Sequence, residues 1–178
     1  MHTHNEILVR APVGECLGLA ADIEAWPSLL EHYRRVTFRR RDGPGSGLVE
    51  MAAVRAFGPV PYPVWWASEM HTDFDAARVR YRHVDGITRG MDVEWRLDPA
   101  GAGTRIVIVH EWEGPAWPLV GGLAARSVIG PHFIRVVADR TLDGIRRAAE
   151  GGGSASGDPA GSGRAAGPGP AARGGALA

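Results

Sequence analysis

The chain has 178 residues, a formal net charge of zero and 44% hydrophobic content, enough for one domain with a sizeable core plus an extension. A neutral balance gives no bulk attraction to nucleic acid or to acidic surfaces, and all 20 basic residues are arginine, a usage that a GC-rich genome explains without a functional appeal. The single cysteine, Cys16, excludes an intramolecular disulfide and a cysteine-based zinc site. With neither a secretory signal nor a bilayer-length apolar run, a cytoplasmic protein without a membrane span is the default expectation.

Met1–His4 is expected to be a short disordered leader, in which His2 and His4 meet metal only adventitiously. A first strand is predicted at Asn5–Arg10, where Ile7 and Val9 alternate with polar neighbours. Pro12 suits a first helical turn, and Val13, Leu17 and Ala20 or Ala21 fall at helical spacing, so a helix is predicted over Pro12–Ala21. Asp22 is a candidate N-cap for a second short helix at about Ala25–Glu31, which begins or bends at Trp26-Pro27. Strands then follow one after another: Val36–Arg41, closed by the turn Asp42-Gly43-Pro44-Gly45; Leu48–Phe57, closed by Gly58-Pro59; and Tyr62–Thr72, ending near Asp73–Asp75. Arg78–Val84 alternates strictly, with Asp85-Gly86 as a hairpin signal, and leads to Ile87–Leu97, a turn at Asp98–Gly103 and Thr104–Trp112. Past Pro118, Leu119–Ile129 is small and apolar, Gly130-Pro131 breaks or kinks a helix, and Phe133, Ile134, Val137, Thr141, Ile145 and Ala148 form one helical stripe. Residues 151–178, almost entirely Gly, Ala, Ser and Pro, are expected to be a disordered tail, because they cannot bury enough surface to offset the entropy of ordering.

Consecutive strands joined by turns argue for an antiparallel meander rather than parallel α/β units. Alternation assigns one face to each strand: Val64, Trp66, Ser68 and Met70; Val79, Tyr81 and His83; Met91, Val93, Trp95 and Leu97; Ile106, Ile108, His110 and Trp112. Turned toward the long helix, these faces would make an aromatic, Met-bearing concavity suited to a flat, mostly apolar molecule. For any single Trp or Met, plain core packing is the commoner use. Two buried histidines on one concave face are costly unless used, and they favour a pocket.

Residues 21–36, with their helix break, Trp26-Pro27, Tyr33 and the start of a strand, resemble the entry to the helix-grip fold of the START, pollen-allergen and polyketide-cyclase superfamily. The implied fold is α+β: a curved antiparallel seven-stranded sheet wrapped around a long C-terminal helix over residues 5–150, with two short helices after the first strand. Tyr81-Arg82, Gly90–Arg96 and Ile108–Trp112 further resemble the monodomain aromatase/cyclases of bacterial aromatic polyketide pathways, over about residues 6–150. Such an enzyme folds a poly-β-ketone chain in its cavity, closes a ring by intramolecular aldol condensation and loses water. It needs a base for a methylene flanked by carbonyls, a donor for the developing oxyanion, and walls that bring one carbon pair together.

The resemblance implies His110 as acid/base and Tyr33 as donor, with Asp139 as a helix carboxylate that could act with the histidine. Helical phase, at about 100° per residue, places Asp139 away from the inward stripe and Thr141 on it. The implied cavity wall is Trp26, Leu30, Trp66, Met70, Tyr81, His83, Met91, Trp95, Trp112 and Thr141. One departure stands out: Met70 occupies a strand position where these cyclases carry an arginine. Arg39-Arg40-Arg41 reads as a solvated strand edge, and Arg126 as a surface residue near the entrance that could meet a carrier phosphate.

No cofactor or metal is expected. The expected partners are a polyketide or other hydrophobic small molecule and an acyl carrier protein, and the expected state is a monomer or homodimer. A second reading is a binding module that carries a lipid, quinone or polyketide without catalysis, favoured by the apolar wall and the missing arginine. A third, a non-catalytic interaction protein, would require the six tryptophans to fill the cavity.

Overall fold

The computed structural model describes residues 1–57, 60–114 and 131–152. Seven antiparallel strands form one sheet in the order β1-β7-β6-β5-β4-β3-β2. They are β1 (His2–Val9), β2 (Tyr33–Gly43), β3 (Ser46–Phe57), β4 (Val60–Asp73), β5 (Arg78–Gly86), β6 (Asp92–Ala100) and β7 (Gly103–Glu111). Between β1 and β2 lie α1 (Val13–Ala21), a 3-10 turn at Ile23–Ala25 and the single-turn α2 (Trp26–Leu29), and the long helix α3 spans Pro131–Gly152. From β2 to β7 each strand pairs with the next, and β1 joins beside β7. This is the helix-grip arrangement.

The pleat explains why these segments become strands. In β5, Val79, Tyr81 and His83 are buried while Arg80 and Arg82 are exposed. The outward arginines meet acids across the strand, Arg80 with Glu94 at 3.2 Å and Arg82 with Asp92 at 2.5 Å. Such exposed pairs each contribute about 0.2–1 kcal/mol, so they fix register more than they stabilise. The stabilising term is the inward face, where Val79, Trp95, Leu97, Ile106 and Ile108 are almost wholly buried, each worth roughly 1.5–3 kcal/mol relative to exposure. The helix α3 answers with Ile134, Ala138, Thr141, Leu142, Ile145 and Ala149, all buried. That stripe is displaced by about one residue over part of its length: Phe133, Val137 and Ala148 are only half-buried, while Ile134, Thr141 and Ile145 belong to both.

Several local expectations are corrected. Met1–His4 is not a frayed leader: β1 begins at His2, Thr3 pairs opposite His110, and the Trp112 amide donates to the Met1 carbonyl at 2.9 Å. Pro12 lies before α1 in an extended conformation (ψ 152°) rather than in its first turn. The Asp22 side chain caps nothing; its amide donates to the Gly18 carbonyl at 2.9 Å and its carbonyl starts the 3-10 turn. Asp85-Gly86 is not a two-residue hairpin. Residues 87–91 form a longer loop, drawn in by hydrogen bonds from the Gly90 amide to the His83 carbonyl (2.8 Å) and from the His83 amide to the Met91 carbonyl (2.9 Å). Gly86, at φ 84°, lies so close to the Trp65 carbonyl that no side chain fits there. Leu119–Ile129, Arg126 and the expected tail beyond Gly152 lie outside the described residues.

Leu30, expected in the cavity wall, is instead a core clamp. It is 1% exposed, and a Cβ on Gly144 of α3 would collide with its Cδ2. Gly144→Ala is therefore expected to destabilise the fold by about 1–3 kcal/mol through overpacking, measurable by urea denaturation. A neutral or stabilising result would mean that α3 does not pack against Leu30 this closely.

Candidate functional site

Between the sheet and α3 the structure leaves a cavity of about 120 Å³. A water needs only about 10–15 Å³ on such a measure, so this is not a packing flaw. Every strand from β2 to β7 contributes a wall residue, and so do α2, α3 and the loop between β5 and β6. The walls are mostly aromatic. Trp26 packs edge-on against Tyr33 (ring centroids 5.1 Å) and tilts against Trp95 (5.7 Å). Trp66 stacks on the His83 ring at 5.8 Å with an interplanar angle of 14°.

Three histidines border this space, and each is held by a threonine hydroxyl from another segment. His110 on β7 has Nδ1 3.1 Å from Thr3 Oγ1 on β1. His83 on β5 has Nδ1 2.6 Å from Thr88 Oγ1 in the following loop. His32, just before β2, has Nε2 3.0 Å from Thr141 Oγ1 on α3. Alternation along β1 turns Thr3 inward, two strand periods before Ile7, and Thr3 is fully buried. Burial removes the hydration an imidazolium needs, and no carboxylate replaces it. His110 is pushed down to about 4 by burial. His83 is pushed down to about 3 by burial, assisted by His110 nearby. His32 falls to about 4 through burial and the neighbouring Arg140 guanidinium. All three rings are neutral at pH 7. Nδ1 of His110 and of His83 is taken up by its threonine, which leaves Nε2 as the free nitrogen in each.

The phenols behave in the opposite sense. Burial raises Tyr33 to about 12, partly offset by a hydrogen bond with Thr141. Burial also raises Tyr81 well above the ordinary phenol range, and Tyr33 adds to the effect. Both stay protonated at neutral pH and are available only as O–H groups.

Of the expected wall residues, Trp26, Tyr33, Trp66, Tyr81, His83, Met91, Trp95, His110 and Thr141 do border the cavity. Four expected site residues do not. Asp139 is exposed on α3, where Asn5 Nδ2 donates to its Oδ1 at 2.7 Å; helical phase turns it to β1 and solvent, so it cannot act with His110. Met70 is 3% exposed but lies two strand periods from Trp66, in closed core beyond the cavity. Trp112 follows the end of β7, and its indole N–H donates to the Arg89 carbonyl at 3.0 Å, away from the cavity. Leu30 is the core clamp described above.

The cavity is not filled by tryptophan, as the interaction-protein reading required. Only Trp26, Trp66 and Trp95 line it among the described residues, and Trp65 is half-exposed on the other face. His32, Thr88 and Arg140 border it without having been singled out from the sequence. Arg140 brings a guanidinium from α3 to a cavity whose expected strand arginine is Met70. Among the described residues, no group of three or more His, Cys, Asp or Glu could hold a metal ion.

An antiparallel sheet gripping one long helix around an aromatic-lined cavity defines a protein of the helix-grip fold. A family model described as "Polyketide cyclase / dehydrase and lipid transport" matches residues 1–150, and the chain belongs to that family. A protein of Streptomyces cyaneus provisionally named a polyketide cyclase is 30% identical over 112 residues, 59% of this chain and 68% of its own length. One of Streptomyces halstedii, named in the same way, is 32% identical over 101 residues, 53% of this chain and 84% of its own. Among solved structures, the Zhui aromatase/cyclase of Streptomyces sp. R1128 has a TM-score of 0.74 at 19% identity, over 84% of this chain and 93% of its own. A START superfamily protein of Mycobacterium smegmatis has a TM-score of 0.59 at 16% identity, over 84% and 94%. These structural likenesses concern the fold. No described helix is long and apolar enough to cross a membrane.

The histidines also predict a pH dependence. Their folded values, about 3 for His83 and about 4 for His110, lie below the ordinary 6.5. Below pH 6.5 the unfolded chain therefore takes up protons that the folded chain does not. Stability is complete above about pH 6.5 and falls as the pH drops from there toward 4. Urea midpoints measured across that window should decrease, and His83→Gln should make the decrease shallower. A flat profile would mean that the imidazoles are protonated in the folded state.

Proposed function

We propose that the protein is a polyketide aromatase/cyclase that closes a ring in a poly-β-ketone chain and dehydrates it inside this cavity. The observation that carries the reading is that neutral His110 from β7 and protonated Tyr33 from β2 both border one mostly apolar, aromatic-walled cavity. In the tautomer whose Nδ1–H is donated to Thr3, His110 presents an Nε2 lone pair. That nitrogen removes a proton from a methylene between two carbonyls, giving an enolate whose carbon attacks a ketone carbonyl and forms the carbon–carbon bond. The new alkoxide is stabilised by the Tyr33 O–H and takes the proton back from the imidazolium. A second proton removal expels the hydroxyl, protonated as it leaves, as water. Flat aromatic walls keep the folded chain in the one shape that joins the right carbons.

Replacing His110 with Gln should reduce ring closure of a polyketide thioester by about 10²–10⁴-fold while circular dichroism stays unchanged; retention of full activity would sink the mechanism. Thr3 acts through His110. Thr3→Val should therefore lower turnover about tenfold, within the range of general acid–base effects, and shift its pH profile, with Thr3→Ser restoring both. A Thr3→Val variant that loses activity without a changed pH profile would reduce Thr3 to a packing role.

A second reading has its own support. Imidazoles held near 4 are weak bases, and the wall is otherwise apolar, as a carrier of a lipid, quinone or polyketide would need. A native mass spectrum of the purified protein that retains such a ligand, together with wild-type inactivity on the thioester, would decide for carriage. An acyl carrier protein is the partner that the cyclase reading calls for.

A further inference from the structure

Tyr81 is the cavity phenol whose hydroxyl is both buried and unpartnered among the described residues. The residue is 6% exposed, it lines the cavity, and its hydroxyl has no hydrogen-bond partner among the described residues. A buried hydroxyl left alone costs about as much as a lost hydrogen bond, which is why folded proteins keep few of them. Two other buried polar atoms share that condition, Ser68 Oγ and Asn5 Oδ1, but neither residue borders the cavity.

Tyr33, the neighbouring phenol, is differently placed. Thr141 has a single hydroxyl hydrogen and donates it to the Val137 carbonyl at 2.8 Å. Its oxygen therefore accepts from His32 Nε2 at 3.0 Å. Thr141 is also a polar neighbour of the Tyr33 phenol, whereas the Tyr81 hydroxyl has no such partner among the described residues. Tyr81 stands on β5 in the middle of the sheet, opposite Met70 on β4 and Val93 on β6, and one alternation from His83, whose ring stacks on Trp66. Aromatic faces beside a lone donor suit a planar molecule with a carbonyl oxygen in its ring plane.

We propose that Tyr81 is the specificity-determining donor of the cavity, selecting flat apolar ligands that carry a carbonyl oxygen over hydrocarbon-like ligands that carry none. The inference rests on the cavity being the ligand site, and it holds whether the ligand is cyclised or only carried.

Titration of tryptophan fluorescence with 1-tetralone and with tetralin, which share a bicyclic frame and differ by one carbonyl oxygen, tests it without turnover. In Tyr81→Phe the ratio of tetralone to tetralin affinity should fall roughly three- to tenfold, the worth of one net hydrogen bond. The same variant should melt about 2–4 °C higher, because an unpartnered hydroxyl has left the interior. A merely structural tyrosine would give the opposite sign in stability and no change in the ratio. The proposal is overturned if the wild type binds neither probe, if the ratio survives in Tyr81→Phe, or if that variant melts lower than the wild type. Wild-type inactivity on a polyketide thioester would overturn the cyclase reading alone and leave the tetralone ratio untouched.

Discussion

The structure depends on how imidazoles and phenols are kept inside an apolar cavity without carboxylates. Each cavity histidine is met by a threonine hydroxyl, Thr3 for His110, Thr88 for His83 and Thr141 for His32. A carboxylate in any of these places would stabilise an imidazolium and draw its pKa upward. A hydroxyl satisfies one ring nitrogen, fixes the ring's orientation and leaves desolvation to dominate. The imidazoles and phenols of the cavity are therefore polar in their hydrogen bonds and uncharged at neutral pH, and the charge at its border is that of Arg140.

These pairs also tie the fold together. His110–Thr3 joins the last strand to the first, and His32–Thr141 joins the entrance of β2 to α3. Asn5 adds a third link, with its amide donating to Asp139 Oδ1 at 2.7 Å and to the Arg135 carbonyl at 3.3 Å. The edge strand β1 thus holds both His110 and α3 from its one inward face, through Thr3 and Asn5. The residue that positions the candidate base and the residue that positions the helix follow each other along a single short strand.

The framework of the fold was legible because it rests on periods. Alternation in Arg78–Val84 and helical spacing in residues 133–148 survive in the structure with small shifts, and of the aromatic residues that alternation turned inward Trp66, Trp95, His83 and His110 do border one cavity. What was missed has a physical cause in each instance. Thr3 and Asn5 lie on the same face as Ile7 and Val9, but a polar residue at the start of a strand gives no hydrophobic signal of its burial. Met70 and Trp112 share faces with cavity residues. Alternation says which side of a sheet a residue takes and nothing about how far along the strand the cavity extends. Asp139 matched a family position in local sequence, while its helical phase pointed outward, and the phase was the better guide. His32 and Arg140 border the cavity from the ends or flanks of their elements, where no period applies.

The same limit bears on what sets the product of such a cavity. The fold fixes a curved wall, and the wall's chemistry is mostly that of aromatic faces, which discriminate by shape and lie flat against any planar ring. Discrimination among ring-forming carbons then has to come from the few directional groups that remain: the free Nε2 atoms of His83 and His110 and the two phenols. Tyr81 and His83 share one face of β5, one alternation period or about 7 Å apart, while His110 stands on β7 and Tyr33 on β2. A donor and an acceptor therefore follow each other along the middle of the sheet, with a second acceptor and a second donor on strands to either side. On the proposed cyclase reading, moving one of these groups along its strand by one period would change which carbons are joined without changing the chemistry that joins them.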